Sequence, residues 1–392
     1  MSWKVRDVLD QRIHFVLALE SGSYRMSELC RQFGISRPTG YKWVSRYRSH
    51  GPMGLQDRSR APGRSPQRMD PLLETFLLDS RRAHPTWGAR KILKFLGRKH
   101  PDLAQAFPAA STVGDLFQRS GLVEPRKRRM PRSSAAAGPL RADEPNAVWS
   151  ADYKGEFRLA SGSYCYPFTL SDAYSRYLLM CQAQAATSLL GVKNALTDAF
   201  RLYGMPLAIR TDNGSPFVGH GQSGLSQLNV WWIKLGIVHQ RIAPGRPDQN
   251  GRHERMHRTL KAEATRPPQA SLEDQQLRFN GFCQEYNHDR PHEALDQETP
   301  ASHFARSARE FPEAILGPEY PGHFERRKIN ANGFFKFRGD NRFIGHPLAN
   351  ESIGLVEIDD DLWSVRFYDR ELGRIDLSTG TFVINVSTMS PV

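Results

Sequence analysis

At Ala147 the hydrophobic period of the chain changes from helical to alternating, and this limits the fold more than any other feature. Val148–Leu159 reads as a strand, Ala160–Ser163 as a tight turn and Tyr164–Ala173 as its hairpin partner, with Arg176–Ala183 as a third strand. A helix over 188–203 then leads to strand Pro206–Thr211, and a helix over Leu225–Leu235 to strand Ile237–Ile242. A long helix starts near Asp248, and a last one covers 271–287. Three antiparallel strands followed by alternating helices and strands specify a mixed sheet with helices packed on it.

The residues before this point are helical. Val5, Val8, Leu9, Arg12, Val16 and Leu19 share one helix face. A second helix follows an N-cap at Ser27, buries Leu29, Cys30 and Phe33, and stops at Gly34. Ser36 caps a third, which tolerates Pro38 in its first turn and runs through Tyr41, Trp43, Val44 and Tyr47. A short helix, a glycine turn and another helix are the parts of a helix-turn-helix. Arg37, Thr39, Lys42 and Arg46 lie on the outer face of the third helix, where they can meet phosphates or base edges. Further helices are expected over 71–82, 88–99 and, after Ser111, 112–119, with a stop at Gly121. Beyond Pro318 short strands follow at Phe334–Phe337, Arg342–Ile344, Leu355–Ile358, Trp363–Tyr368 and Arg374–Leu377, which suit a small β-barrel.

The fold class expected is therefore multidomain α+β. Residues 1–50 form a helix-turn-helix DNA-binding domain, 51–69 a basic linker, and 70–123 a second helical, helix-turn-helix-like DNA-binding domain. A basic linker over 124–146 precedes a ribonuclease-H-like mixed α/β core over 147–305 and a small SH3-like β-barrel over 318–392. Arg60-Ala-Pro-Gly-Arg-Ser-Pro in the first linker has the composition of a minor-groove segment, or of an ordinary basic linker.

Charge separates these parts. Residues 1–140 hold 26 Lys and Arg against 11 Asp and Glu, whereas the rest holds 28 against 30, giving the chain's net +13. A basic front on a near-neutral body fits a polyanion-binding module joined to something else. No apolar run approaches the ~18 residues of a membrane helix, and Asp7 and Asp10 before the short Ile13–Leu19 run argue against a secretory signal. Four cysteines without a CxxC pair argue against a disulfide framework or a cysteine zinc module, so a reducing, cytoplasmic setting is expected.

Three carboxylates sit where these elements converge. Asp152 lies in the first strand of the sheet, Asp212 ends the fourth, and Glu254 stands in the first turns of the helix opened by Pro244-Gly-Arg-Pro-Asp-Gln-Asn-Gly251. Carboxylate oxygens suit hard Mg²⁺ or Mn²⁺, and two such ions serve in-line displacement at a phosphodiester. Taken singly, each has a structural use: an aspartate at a strand end caps a turn, and a glutamate in a first helical turn favours the dipole. Asp172, near the end of the second strand, is another candidate for the first ligand, with turn capping as its plainer role.

Trp149-Ser-Ala-Asp152, Thr211-Asp-Asn-Gly214 and Pro247-Asp-Gln-Asn-Gly-Arg-His-Glu254, followed by Arg258-Thr-Leu-Lys261, resemble the acidic blocks of integrase-type DDE transposases of bacterial insertion sequences. That superfamily shares its catalytic core with retroviral integrases. The resemblance covers 147–305. It implies Asp152, Asp212 and Glu254 as catalytic metal ligands for Mg²⁺ or Mn²⁺, two ions in all, and Arg258 and Lys261 as DNA contacts beside the scissile phosphate. It also implies a homo-oligomer on DNA, holding element ends and target, with nucleoid association and cutting and joining of the element's own ends. Two departures stand out. The 41 residues between Asp212 and Glu254 exceed the commonest family spacing, with Gly219-His-Gly-Gln-Ser-Gly224 as the place for the excess, and no His/Cys zinc domain opens the chain.

Two other readings compete. A catalytically inactive DNA-binding regulator derived from a transposase would keep the same fold. His253-Glu254-Arg255-Met256-His257 also satisfies H-E-x-x-H, the zinc metallopeptidase signature. Arg252, Arg255, Arg258 and Lys261 make its surroundings cationic, which opposes a further cation, and a peptidase leaves Asp152, Asp212 and the basic front unexplained. Trp231, Trp232 and Leu235 read as core packing, and Tyr286, Asn287, Arg290, Pro291 and His292 as the block that closes the core.

Overall fold

The computed structural model describes residues 7–57, 69–124, 142–219, 221, 224–243 and 250–384. The expectations for Val5, for most of both linkers, for His220, Gln222 and Ser223, and for Pro244–Gln249 lie outside them. The chain divides into two compact units, Met1–Asp70 and Pro71–Val392.

In the first unit, helices α1 (Val8–Glu20), α2 (Met26–Gln32) and α3 (Arg37–His50) enclose Phe15, Val16, Leu29, Cys30, Trp43 and Val44, with Leu55 of a following 3-10 turn. The cap of α2 is Arg25 and not the expected Ser27, because the Glu28 carboxylate reaches back to accept from the Arg25 N–H at 3.1 Å. Ser36 does cap α3, accepting from the Thr39 N–H. Gly40 is required by close packing: a methyl there would lie 2.8 Å from Cys30 Sγ and 3.0 Å from the Phe15 ring.

The second unit begins with α4 (Pro71–Ala83), α5 (Ala89–Lys99) and α6 (Ala110–Arg119), packed through Leu77, Trp87, Ile92, Leu96, Val113, Leu116 and Phe117. Then come strands β1 (Val148–Tyr153), β2 (Phe157–Arg158), β3 (Tyr164–Asp172) and β4 (Leu178–Gln184). Helix α7 (Leu189–Tyr203) leads to β5 (Ala208–Thr211), and α8 (Gln227–Lys234) to β6 (Val238–Arg241). Helices α9 (Gly251–Glu263) and α10 (Leu272–Gln284) close the layer, α10 continuing as a π-turn to Asp289.

The sheet order is β4-β3-β1-β5-β6, with β2 prolonging the line of β1 beside β3. β1 runs antiparallel to β3 and parallel to β5, which is parallel to β6. Alternation along β1 decides what each face carries. Trp149 and Ala151 join the core under α7 and α8 with Phe168, Leu170, Ile209, Phe200 and Trp232. The opposite face packs Cys165, Leu178 and Cys181 against Met256 and Leu260 of α9 and Phe279 and Phe282 of α10. Ser150 and Asp152 alternate with Trp149 and Ala151, so they belong to the α9 face.

The closing strands are β7 (Glu325–Lys328), β8 (Phe334–Phe337), β9 (Asp340–Phe343), β10 (Ser352–Asp359), β11 (Leu362–Phe367), β12 (Arg370–Asp376) and β13 (Thr381–Ile384). The expected closed barrel is not found among the described residues. Five strands form an open antiparallel sheet in the order β13-β12-β11-β10-β7, while β8 and β9 pair only with each other. That hairpin covers the sheet with side chains, burying Phe335 and Phe337 in one core with Leu355, Trp363, Val365 and Phe367, so its backbone does not bridge the sheet edges. Val230 and Ile233 of α8 join the same core.

Candidate active site

Asp152 is positioned by strand pairing. It lies opposite Thr169 in the β1–β3 register, and Thr169 Oγ1 donates to the Asp152 carbonyl at 3.0 Å. The same hydroxyl stands 2.8 Å from His253 Nε2 and 2.7 Å from His257 Nε2 on α9. With its proton on the carbonyl, Thr169 Oγ1 is left to accept, so both histidines donate from Nε2. His253 Nδ1 then accepts from Ser171 Oγ at 2.8 Å, and His257 Nδ1 faces Asp152 Oδ2 at 3.8 Å. Burial pushes His253 down to about 3 and His257 to about 2, so both rings are neutral at ordinary pH.

Burial, followed by the charge of Asp212 and more weakly that of Glu254, raises Asp152 to about 7. The two other carboxylates singled out in the sequence are thus close enough for Asp152 to feel them. They are not packed onto it. Among the described residues, the group whose ligand atoms all lie within 4.8 Å is Asp152, His253 and His257.

Asp212 is exposed just past β5, in a turn tied down on both sides. Thr211 is buried with its hydroxyl 2.9 Å from His239 Nε2, and Asn213 donates to the Ile242 carbonyl and accepts from Arg241 Nε at 3.0 Å. The Gly214 N–H donates to Asp212 Oδ1 at 3.0 Å, and a methyl on Gly214 would lie 3.1 Å from the other oxygen. Glu254 is exposed on α9, with Arg258 and Lys261 four and seven residues on, also exposed and on one helix face.

The H-E-x-x-H pair is otherwise occupied. Both nitrogens of His253 are hydrogen-bonded within the protein, and Thr169 holds Nε2 of His257, so only His257 Nδ1 keeps a lone pair toward Asp152. The sequence marked these histidines only through that motif. Their partners Thr169 and Ser171 could have been found from strand alternation, which puts them on the α9 face.

Asp172 caps a turn: it accepts from the Asn146 N–H at 2.9 Å and from Ser175 N–H and Oγ at 2.7 and 2.6 Å. Asn287 brackets Leu178, accepting from its N–H at 2.8 Å and donating to its carbonyl at 2.9 Å. Arg290 pairs with Glu263 and lies over the Trp87 ring. In the first unit Arg37 is exposed, Lys42 is exposed with its Nζ 5.0 Å over the Trp43 ring, Thr39 bonds the Ser36 hydroxyl at 2.9 Å and Arg46 lies over the same ring.

Integrase core domain models match residues 142–247 and 235–300, which together contain every one of the three acidic blocks. Residues 142–300 of the chain thus match the integrase core domain family. A homeodomain-like domain model matches 39–117 and a helix-turn-helix domain model 11–63, so the basic front carries DNA-binding-type folds. An insertion element IS407 protein of Burkholderia multivorans is 28% identical over 193 residues, 49% of this chain and 67% of that one. The Gag-Pol polyprotein of avian reticuloendotheliosis virus is 34% identical over 123 residues, 31% of this chain. This chain spans about 10% of that polyprotein. The HTLV-2 integrase catalytic core domain in complex with magnesium aligns with 42% of this chain and 99% of its own, at 18% identity and a TM-score of 0.34. The family resemblance of the acidic blocks is borne out, as are helix-turn-helix domains before a ribonuclease-H-like core. No helix among the described residues is long and apolar enough to cross a membrane.

Proposed function

We propose that this integrase-core protein is a DNA transposase that binds the ends of its own element and catalyses phosphodiester cleavage and strand transfer, with Asp152, Asp212 and Glu254 as its catalytic carboxylates. The observation that carries this reading is the rise of Asp152 to about 7, caused by burial and by the charges of Asp212 and Glu254. A buried carboxylate whose charge is opposed by two neighbouring carboxylates forms a site for a divalent cation, whose charge would relieve the repulsion. The oxygen donors fit hard Mg²⁺ or Mn²⁺, and His257 Nδ1 faces the Asp152 carboxylate at 3.8 Å. When bound, such ions supply an activated water or 3′-hydroxyl and charge neutralisation at the departing oxygen.

The protein's own residues then have separate tasks. Thr169, held by two histidines, fixes the backbone of Asp152 from the α9 side. Gly214 orients the Asp212 carboxylate, leaving its second oxygen toward solvent. Arg258 and Lys261 hold phosphates beside Glu254, and Arg37, Thr39, Lys42 and Arg46 of α3 engage DNA, the last three only by giving up their present contacts. Because an element has two ends, the active form is a homo-oligomer on DNA.

The test is Mg²⁺- or Mn²⁺-dependent cleavage and joining of a duplex carrying the gene's flanking inverted repeats. Wild type is expected to cut, and Asp212→Asn and Glu254→Gln to bind the same duplex without cutting it. Tight binding by wild type with no cutting in either metal would refute the enzyme and leave a DNA-binding regulator.

A further inference from the structure

A cavity of about 450 Å³ beside α9 is lined by Lys91 of α5, Arg176 of the β3–β4 turn, Arg252, Arg255 and Arg258 of α9, and Arg290 beyond α10. The acid in its lining is Glu293, and Glu263 pairs with Arg290. The cations outnumber the acids beside them, and the fold holds Arg176 and Arg252 in place through a shared backbone carbonyl. Arg176 sits at a left-handed φ of 66° and donates to the Ala173 carbonyl, and Arg252 donates to the same carbonyl at 3.1 Å. Like charges gathered around a partly buried space repel one another unless an anion enters it.

We propose that this cavity is a phosphate-binding site that grips the backbone of bound DNA. Several guanidiniums in one recess offer forked donors that match phosphate oxygens better than a single carboxylate. Repulsion is visible in the groups themselves. Burial, then Arg252, brings Arg176 down to about 10, and burial, then Arg290, brings Lys91 down to about 8. His292, which also lines the cavity, is pushed down to about 3 by burial and by Lys91 and Arg290, and adds no charge. Position favours a strand over a free ion. At ~100° per residue, Arg258, Arg255 and Arg252 follow one another round α9 at about 40°, 100° and 160° from Glu254, so a backbone leaving Glu254 along Arg258 enters the cavity. Lys91 belongs to the helical module before the core, so one strand there would touch both parts.

The proposal rests on reading the chain as a DNA-processing enzyme, and the experiment separates the two. Full-length wild type and a Lys91→Gln/Arg255→Gln variant are compared by fluorescence anisotropy on the inverted-repeat duplex across a NaCl series. Each phosphate contact contributes a slope of ~0.9 in log K against log salt, so the variant should lose about 1 to 2 units of slope. Inorganic phosphate should raise the melting temperature of wild type and not of the variant. Arg252→Gln repeats the comparison should the double variant fold poorly. Equal slopes overturn the proposal, including the case in which inorganic phosphate still distinguishes the proteins, since the cavity then takes free phosphate and not DNA. A lost slope in a protein that never cuts DNA supports the cavity while the enzymatic reading fails.

Discussion

Replacing Asp152 by asparagine should make the protein more stable, and increasingly so as pH rises. An ordinary aspartate in the unfolded chain titrates near 3.8, while burial and the charge of Asp212 hold the folded group at about 7. Folding therefore disfavours the charged form. The penalty is absent below the unfolded value, grows as pH rises through the gap, and levels off above about 7. One pKa unit corresponds to ~1.4 kcal/mol, so the full penalty has a ceiling of about 4 kcal/mol at pH 9, against less than about 2 at pH 5. Asparagine keeps the shape and carries no charge. The assay is urea denaturation in EDTA, followed through core tryptophan fluorescence, for wild type and Asp152→Asn at pH 5, 7 and 9. The stability gap between the two proteins should widen by ~3 kcal/mol from pH 5 to pH 9 at most, with most of the change below pH 7. A gap that stays constant across that range would show that neither burial nor the neighbouring charges raise Asp152 on folding, and would remove the central support for a shared carboxylate site.

Millimolar Mg²⁺ should raise the melting temperature of wild type at pH 8 and leave Asp152→Asn unmoved, as measured by thermal unfolding with and without EDTA. Thr169→Val takes the acceptor from two buried histidine N–H groups. A cost of roughly 2–6 kcal/mol in chemical denaturation is expected, since each unsatisfied buried donor costs ~1–3 kcal/mol. Gly40→Ala should destabilise the first unit by about 1–3 kcal/mol, because its methyl meets Cys30 Sγ at 2.8 Å on a rigid helix contact. Circular dichroism melting of the full chain would show an earlier first transition with the later one unchanged.

Much of the core was legible because its elements obey simple periods. β3, β5, β6 and their intervening helices fall where alternation and turn residues put them, whereas the expected strand Val148–Leu159 breaks after Tyr153 into β1 and β2, and Asp172 caps its turn as a strand-end aspartate should. Legibility failed where a side chain reached across the chain. The cap of α2 moved from Ser27 to Arg25 because Glu28 folds back on it, an interaction that propensity alone does not reveal. β7, of sequence Glu-Arg-Arg-Lys, has no apolar alternation and is a strand only because β10 pairs with it. The barrel expectation failed for a related reason. Phe334–Phe337 reads as a strand in either case, but whether it closes a sheet or lies across one depends on where Phe335 and Phe337 are buried.

The site shows the same division between what a pattern marks and what the fold decides. H-E-x-x-H marks two histidines on one helix face, and they do share a face. The residue opposite them on β3 is Thr169, whose hydroxyl accepts from both, so the face that a zinc reading needs is spent on holding Asp152 in place. The glutamate between the histidines lies away from them, on the exposed line that continues to Arg258 and Lys261. One helix therefore serves two chemistries by its 3.6-residue turn: neutral, buried imidazoles toward the sheet, and an acid followed by cations toward solvent. A five-residue motif cannot distinguish these uses, because spacing fixes which side chains are neighbours and only the opposing strand fixes what they bind.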